Sequence, residues 1–142
     1  MNNALLLSIK TKYANQIFEG TKVYEFRRKS IGEKNCHKKI YIYSSREEKS
    51  IIGYIIVDQI LSDDLESMIQ KTHQEKNPNI RNYFKNCDIA YALHIQEYHK
   101  FQEPVPIEEI KEKYPKFVIP QFYRYLSKEE PIFEELENRK CI

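Results

Sequence analysis

The sequence predicts an α+β domain: a partly open β-barrel of about five to six mainly antiparallel strands with helices on its flanks. Three observations carry that prediction. Strand patterns predominate, with helices inserted between some of them. The second, third and fourth strand patterns follow one another with no helix between, which a doubly wound parallel sheet does not allow. The longest, Ile51 to Leu61, is interrupted by Gly53, where a bulge or sharp bend would let a sheet curl.

Ala4 to Ile9 is a short apolar run, ended by Lys10-Thr11-Lys12, and reads as a buried first strand. Thr11 is placed to cap a helix with Tyr13, Ala14, Ile17 and Phe18 on its apolar stripe, and Gly20 stands where a helix end wants a left-handed residue. Val23 to Lys29 alternates, with Tyr24 and Phe26 on one face and Val23, Glu25 and Arg27 on the other, so the second strand has a charged face. A polar loop with Gly32 leads to the third strand, Lys39 to Tyr43, in which Ile40 and Ile42 oppose Tyr41 and Tyr43 before the chain turns at Ser44-Ser45. The fourth strand is the interrupted one.

Ser62-Asp63-Asp64 reads as a helix start, with Leu65, Met68 and Ile69 at core spacing. A polar loop from Thr72 to Pro78 precedes a short amphipathic helix marked by Ile80, Tyr83 and Phe84. Ile89 to Ile95 is the fifth strand, where His94 is expected to be a satisfied core residue and not a base. Glu103-Pro104-Val105-Pro106 reads as a rigid extended link into a helix bearing Ile107, Ile110 and Tyr114, which Pro115 ends. Ser127 and Glu130 form a capping-box pattern ahead of Ile132, Phe133 and Leu136, predicting a C-terminal helical extension over about residues 127–142.

A length of 142 residues suits one domain spanning 1–142, and an aromatic share of 13% excludes a disordered chain. The three cysteines (Cys36, Cys87, Cys141) lie far apart with no CxxC pair, and the four histidines form no ligating pattern, so neither a disulfide framework, a metal nor any other cofactor is expected. No apolar run is long enough to span a membrane and the first residues lack a signal-peptide pattern, so a cytoplasmic protein with no membrane partner is expected. Charge is unevenly placed. Residues 1–50 carry 11 Lys and Arg against 5 Asp and Glu, a balance of +6, whereas residues 51–142 carry 12 against 16, a balance of −4. A basic third beside an acidic remainder fits a one-sided footprint for a polyanion, and equally two differently charged solvated faces.

The most informative segment is GTKVYEFRR, Gly20 to Arg28. It places Lys22, Glu25 and Arg27 within one turn and strand, and burying Glu25 and Arg27 side by side is costly unless each finds partners, so they either line a groove or form an exposed ion pair. Lys22 and Arg27 supply donors suited to phosphate or a base edge, and Glu25 an acceptor for an exocyclic amine. Tyr24, Tyr41, Tyr43 and Tyr91 offer flat faces for stacking or for core packing. Lys10 and Lys12, with Arg28, Lys29, Lys34, Lys38 and Lys39, would make a phosphate-facing rim or a solvated basic face. Ser44 and Ser45, beside Arg46, could orient a ligand at the strand end, but with no histidine in place neither reads as a nucleophile.

LLLSIKTKYANQIFEGTKVYEFRR, followed by KKIYIYSS and IIGYIIVDQI, resembles the ASCH domain family of the PUA-like superfamily. The resemblance rests on Gly20, Lys22, Glu25 and Arg27, then Tyr43-Ser44-Ser45, then Gly53, and extends to Tyr91-Ala92-Leu93, with Pro120-Gln121-Phe122 and Tyr125-Leu126 similar to the end of such domains. It implies a PUA-like pseudo-barrel with a cleft beside the signature, binding RNA or a modified nucleobase or nucleotide, and a link to RNA metabolism or gene regulation. Some relatives resemble small amidohydrolases in which the signature lysine assists a threonine three residues on. Here that position is Glu25, which removes the nucleophile. The resemblance therefore favours a binding module using Lys10, Lys12, Lys22, Glu25, Arg27, Arg28, Tyr43, Ser44 and Ser45. The alternative is a hydrolase acting on a modified nucleoside or RNA through Lys22 and Glu25, and a protein adaptor using the acidic C-terminal part ranks third. The residues leave the RNA, the ligand and the oligomeric state open.

Overall fold

The computed structural model describes residues 2–142, with side chains from Ala4 onward. Apolar residues on both faces of two short strands set its centre. In β1 (Asn2–Ile9), Leu5 and Leu7 enter one core and Ala4 and Leu6 the other. In β3 (Lys39–Ser44), Ile40 and Ile42 oppose Tyr41 and Tyr43 in the same way. These two strands form the parallel pair, Leu5 opposite Ile40, and strands covered on both faces are where a continuous apolar run belongs.

Around them lie β2 (Tyr24–Arg27), β4 (Ser50–Asp63), β5 (Ala90–Pro106) and β6 (Tyr123–Ser127), giving one open sheet in the order β2-β5-β4-β3-β1-β6. Every pairing except β1·β3 is antiparallel. The curling expected at Gly53 is present: the β3·β4 and β4·β5 registers both shift beside it. A Cβ on Gly53 would stand 2.3 Å from the carbonyl oxygen of His99, so only glycine permits this approach of β5.

Helices α1 (Thr11–Phe18), α2 (Leu65–Lys71), α3 (Ile80–Tyr83), α4 (Ile107–Lys113) and α5 (Pro131–Asn138) cover the sheet. α1 packs on the core of Leu5, Leu7 and Ile42, α4 and α5 on the core of Leu6 and Tyr41, and α2 and α3 on a third cluster with Ala90 and Ala92. Four local expectations need correction. Thr11 does not cap α1; Lys10 is its N-cap, and the Thr11 hydroxyl instead accepts from Ser44 Oγ at 2.8 Å and from the backbone N–H of Arg46 at 3.2 Å, tying α1 to the β3–β4 turn. Residues 103–106 are not a separate link but the end of β5, with Val105 opposite Ile51 and Pro104 inside a register shift, where no ladder donor is needed. Ser127 ends β6 and α5 begins only at Pro131, although the Ser127 N–H does donate to Glu130 Oε2 at 2.9 Å as the capping-box spacing suggests. His94 is not a core residue: it is partly exposed and pairs with Asp58 at 2.6 Å.

Candidate functional site

The left-handed turn at Gly20 (φ 82°) builds the site. The N–H groups of Thr21 and Lys22 both return to the carbonyl of Gln16, at 3.0 and 3.2 Å, which folds the chain back beneath α1. Lys22 then lies between the rings of Tyr13 and Phe26, 5.7 and 5.0 Å from their centroids, and donates to the carbonyl of Tyr24. Strand alternation puts Glu25 and Arg27 on one face. Glu25 is 5% exposed; its Oε2 accepts from Arg27 Nε at 2.8 Å and its Oε1 lies 3.5 Å from Lys22 Nζ. Arg27 also donates from Nη2 to the carbonyl of Ser8 at 2.8 Å and lies over the Phe122 ring.

Burial pushes the Lys22 ammonium below its ordinary pKa, the Glu25 carboxylate opposes that shift, and the Arg27 charge adds to it. Burial likewise raises the phenols of Tyr83 and Tyr43. The three signature side chains together hold two cations around one carboxylate, so the floor keeps a surplus positive charge.

They line a cleft of about 1060 Å³ along the open edge of β2. Tyr13 and Gln16 of α1 and the segment from Thr72 to Tyr83 contribute to its walls. Ile119, Pro120 and Gln121 contribute a further side, and Ser8, Tyr43 and Ser45 come from the ends of β1 and β3. Of the residues singled out in the sequence, Lys10, Lys12, Lys22, Glu25, Arg27, Tyr43 and Ser45 border this cleft. Ser44 and Arg28 do not. Ser44 is fully buried against Thr11, and Arg28 donates from Nε to the carbonyl of Tyr83 at 2.7 Å, bracing the wall from behind. Among the tyrosines, Tyr24 borders the cleft, whereas Tyr41 is fully buried and hydrogen-bonded to Glu137.

Sequence reasoning missed Tyr13 and Gln16 as lining residues, and the wall carrying Gln74, Asn77, Asn79 and Tyr83. Gln74 and Asn77 lie in the stretch from Thr72 to Pro78, which reads as a polar loop. The bond from Arg28 to the Tyr83 carbonyl, the bond from the Tyr83 hydroxyl to the carbonyl of Phe26, and the packing of Tyr24 and Phe26 against Ile80 and Phe84 hold it over β2. Among the described residues no group of three or more His, Cys, Asp or Glu is placed to hold a metal ion, and no helix is long and apolar enough to cross a membrane.

The ASCH domain profile matches residues 7–121. A protein of Zymomonas mobilis subsp. mobilis named as an ASCH domain-containing ribonuclease is 29% identical over 128 residues, covering 88% of this chain and 85% of the relative. The crystal structure of ASCH from Zymomonas mobilis superposes with a TM-score of 0.84 at 26% identity, covering 97% of this chain and 96% of that one. The N-terminal domain of Staphylothermus marinus McrB shares the fold, with a TM-score of 0.65 at 11% identity over 99% of this chain and 96% of that one. The profile match covers most of the chain, including the Gly20–Arg27 signature and the cleft on either side of it: this chain belongs to the ASCH domain family.

Proposed function

We propose that this protein binds single-stranded RNA, placing one nucleotide in the cleft beside β2. The observation that carries the reading is the buried cluster of Lys22, Glu25 and Arg27, with its surplus positive charge, at the floor of a cleft walled by Tyr13, Tyr24 and Tyr83. Cations on a floor attract phosphate, and aromatic walls accept a base face whatever its identity. Lys10, Lys12 and Arg46 at the border extend the positive field to neighbouring phosphates. Glu25 has both oxygens facing cations, so its role is to hold Lys22 and Arg27 in register and to accept a hydrogen bond from an exocyclic amine. It is not a covalent nucleophile. Titration of a fluorescent single-stranded RNA tests the reading. Affinity should fall steeply with salt, and Arg27→Ala should weaken it by roughly 1–3 kcal/mol, the scale of a lost charge-assisted contact. Salt-independent binding, or none, overturns it.

A second reading is RNA hydrolysis, favoured by the relative named as a ribonuclease and by the lowered pKa of Lys22. An amine whose neutral form is favoured can take the proton of a ribose 2′-hydroxyl as its oxygen attacks the adjacent phosphorus; the bond from phosphorus to the 5′-oxygen breaks, that oxygen leaves with a proton from solvent, and Arg27 steadies the charge that develops on the phosphate. Cleavage of a 2′-hydroxyl RNA that stops in Lys22→Ala, with RNA binding retained, supports this reading, and turnover unaffected by Lys22→Ala removes it.

A further inference from the structure

A second cationic cluster gathers at Tyr125 of β6. The ammonium groups of Lys34 and Lys38 both converge on one ring, 5.8 and 5.9 Å from the centroid of Tyr125. Among the described residues neither has a carboxylate within 4.0 Å. Lys39, next in the same run, is already satisfied elsewhere, 3.3 Å from Glu137. Two ammonium groups around one ring with no carboxylate beside them leave positive charge that an anion would offset.

The cluster is built on a rigid base. Asn35, fully buried, donates from Nδ2 to the carbonyl of Ile31 at 2.6 Å and to the Tyr125 hydroxyl at 2.9 Å, while its Oδ1 accepts from Lys38 Nζ at 3.1 Å. Because the phenol oxygen accepts from the amide, its own proton is left to donate outward. The Asn35 bond first, and then the charges of Lys34 and Lys38, lower the Tyr125 pKa. Two ammonium groups and a phenol donor make an acceptor-hungry surface of the kind a phosphate fills.

The cluster is also joined to the cleft. The Tyr125 ring neighbours Tyr123 at 6.1 Å, Tyr123 neighbours Phe122 at 4.7 Å, and Phe122 lies 5.2 Å beneath the guanidinium of Arg27 on the cleft floor. These partly exposed rings meet edge to face and rest on the core, so they mark a continuous path over β6 with a cation at each end, along which a strand can run from the cleft.

We propose that Lys34, Lys38 and Tyr125 hold a backbone phosphate of the same single-stranded RNA whose nucleotide occupies the cleft, the strand leaving over β6. This rests on the RNA reading above. The test is a length series, from a trinucleotide to a dodecamer of single-stranded RNA, titrated against the wild type, the double variant Lys34→Ala/Lys38→Ala, and Lys34→Ala alone, which keeps the bond between Lys38 and Asn35. In the wild type, affinity should rise with length by about tenfold, the scale of one charged contact. Both variants should lose that gain, partly in the single and fully in the double. The double variant's log-log salt slope on the dodecamer should be shallower by about 0.7 for each phosphate released. Trinucleotide affinity should not change. An unchanged length gain in the double variant overturns the track while leaving the cleft reading intact, as does equal weakening at every length. Wild-type protein that binds no member of the series overturns the cleft reading and the track together.

Discussion

Lys22 is held between opposing demands, because burial favours its neutral form and Glu25 its charged form. Its folded-state pKa lies below its ordinary value of 10.5, so the unfolded chain binds more protons between those two values and stability rises with pH across that window. Tyr41 and Tyr83 act the other way. Burial raises both phenols, so their contribution is fully present below pH 10 and is lost as pH climbs above it. Denaturant titrations across the alkaline range should therefore show wild-type stability climbing relative to Lys22→Met as pH approaches 10.5, with the fall above pH 10 common to both. A difference between the two that stays constant with pH would assign any climb to other groups. Glu25→Gln keeps the shape of the side chain but leaves two largely buried cations without their carboxylate. The expected cost is about 2–3 kcal/mol of unfolding free energy, below the cost of breaking a fully buried pair because Lys22 and Arg27 retain some exposure. An unchanged thermal midpoint would contradict the clamp seen around Glu25.

At the scale of elements, one contact sets the curvature of the sheet and another ties α1 to the β3–β4 turn. Gly53→Ala would drive a methyl group into the His99 carbonyl and to within 2.9 Å of the Phe18 ring, separating β4 from β5 and pressing on α1. A loss of roughly 1–3 kcal/mol or more is expected, read as a lower urea midpoint with an unchanged slope. Thr11→Val preserves volume but strands the buried Ser44 hydroxyl and frees the β3–β4 turn, and should cost about 1–3 kcal/mol by the same measurement.

Gly53, the alternation of β2 and the Gly20 turn were legible in the sequence, because each expresses a local rule of backbone or side-chain direction. What was not legible depends on distant partners. β6 has only five residues and one fully buried side chain, Leu126, so its strand character comes from pairing with β1 rather than from its own pattern. Thr11 has the residue type of a helix cap, and only the β3–β4 turn, more than thirty residues on, shows where its hydroxyl goes. Residues 103–106 carry two prolines that read as a rigid extended link, yet they close the longest strand because the register shift absorbs the missing donor. In the candidate site, the signature face was readable and the Thr72–Tyr83 wall was not, since nothing within that segment says which strand it covers.

For the molecule as a whole, β1 is the hinge of the topology: the first strand in the chain lies between β3 and β6, with Leu5 opposite both Ile40 and Tyr125. A chain ending at Gln121 would lack β6 and α5, uncovering one edge of β1 and removing Leu126, Ile132 and Leu136 from the core. Such a chain should show no cooperative thermal transition by circular dichroism, and a sharp transition would mean that β1 is stable without its second neighbour. The same arrangement has a consequence for synthesis. β1 leaves the ribosome before β6, and more than one hundred residues separate them, so this edge of β1 stays unpaired until β6 has been made. Until then the nascent chain carries an apolar strand with one unpaired edge, and that interval is when holding chaperones should engage this protein.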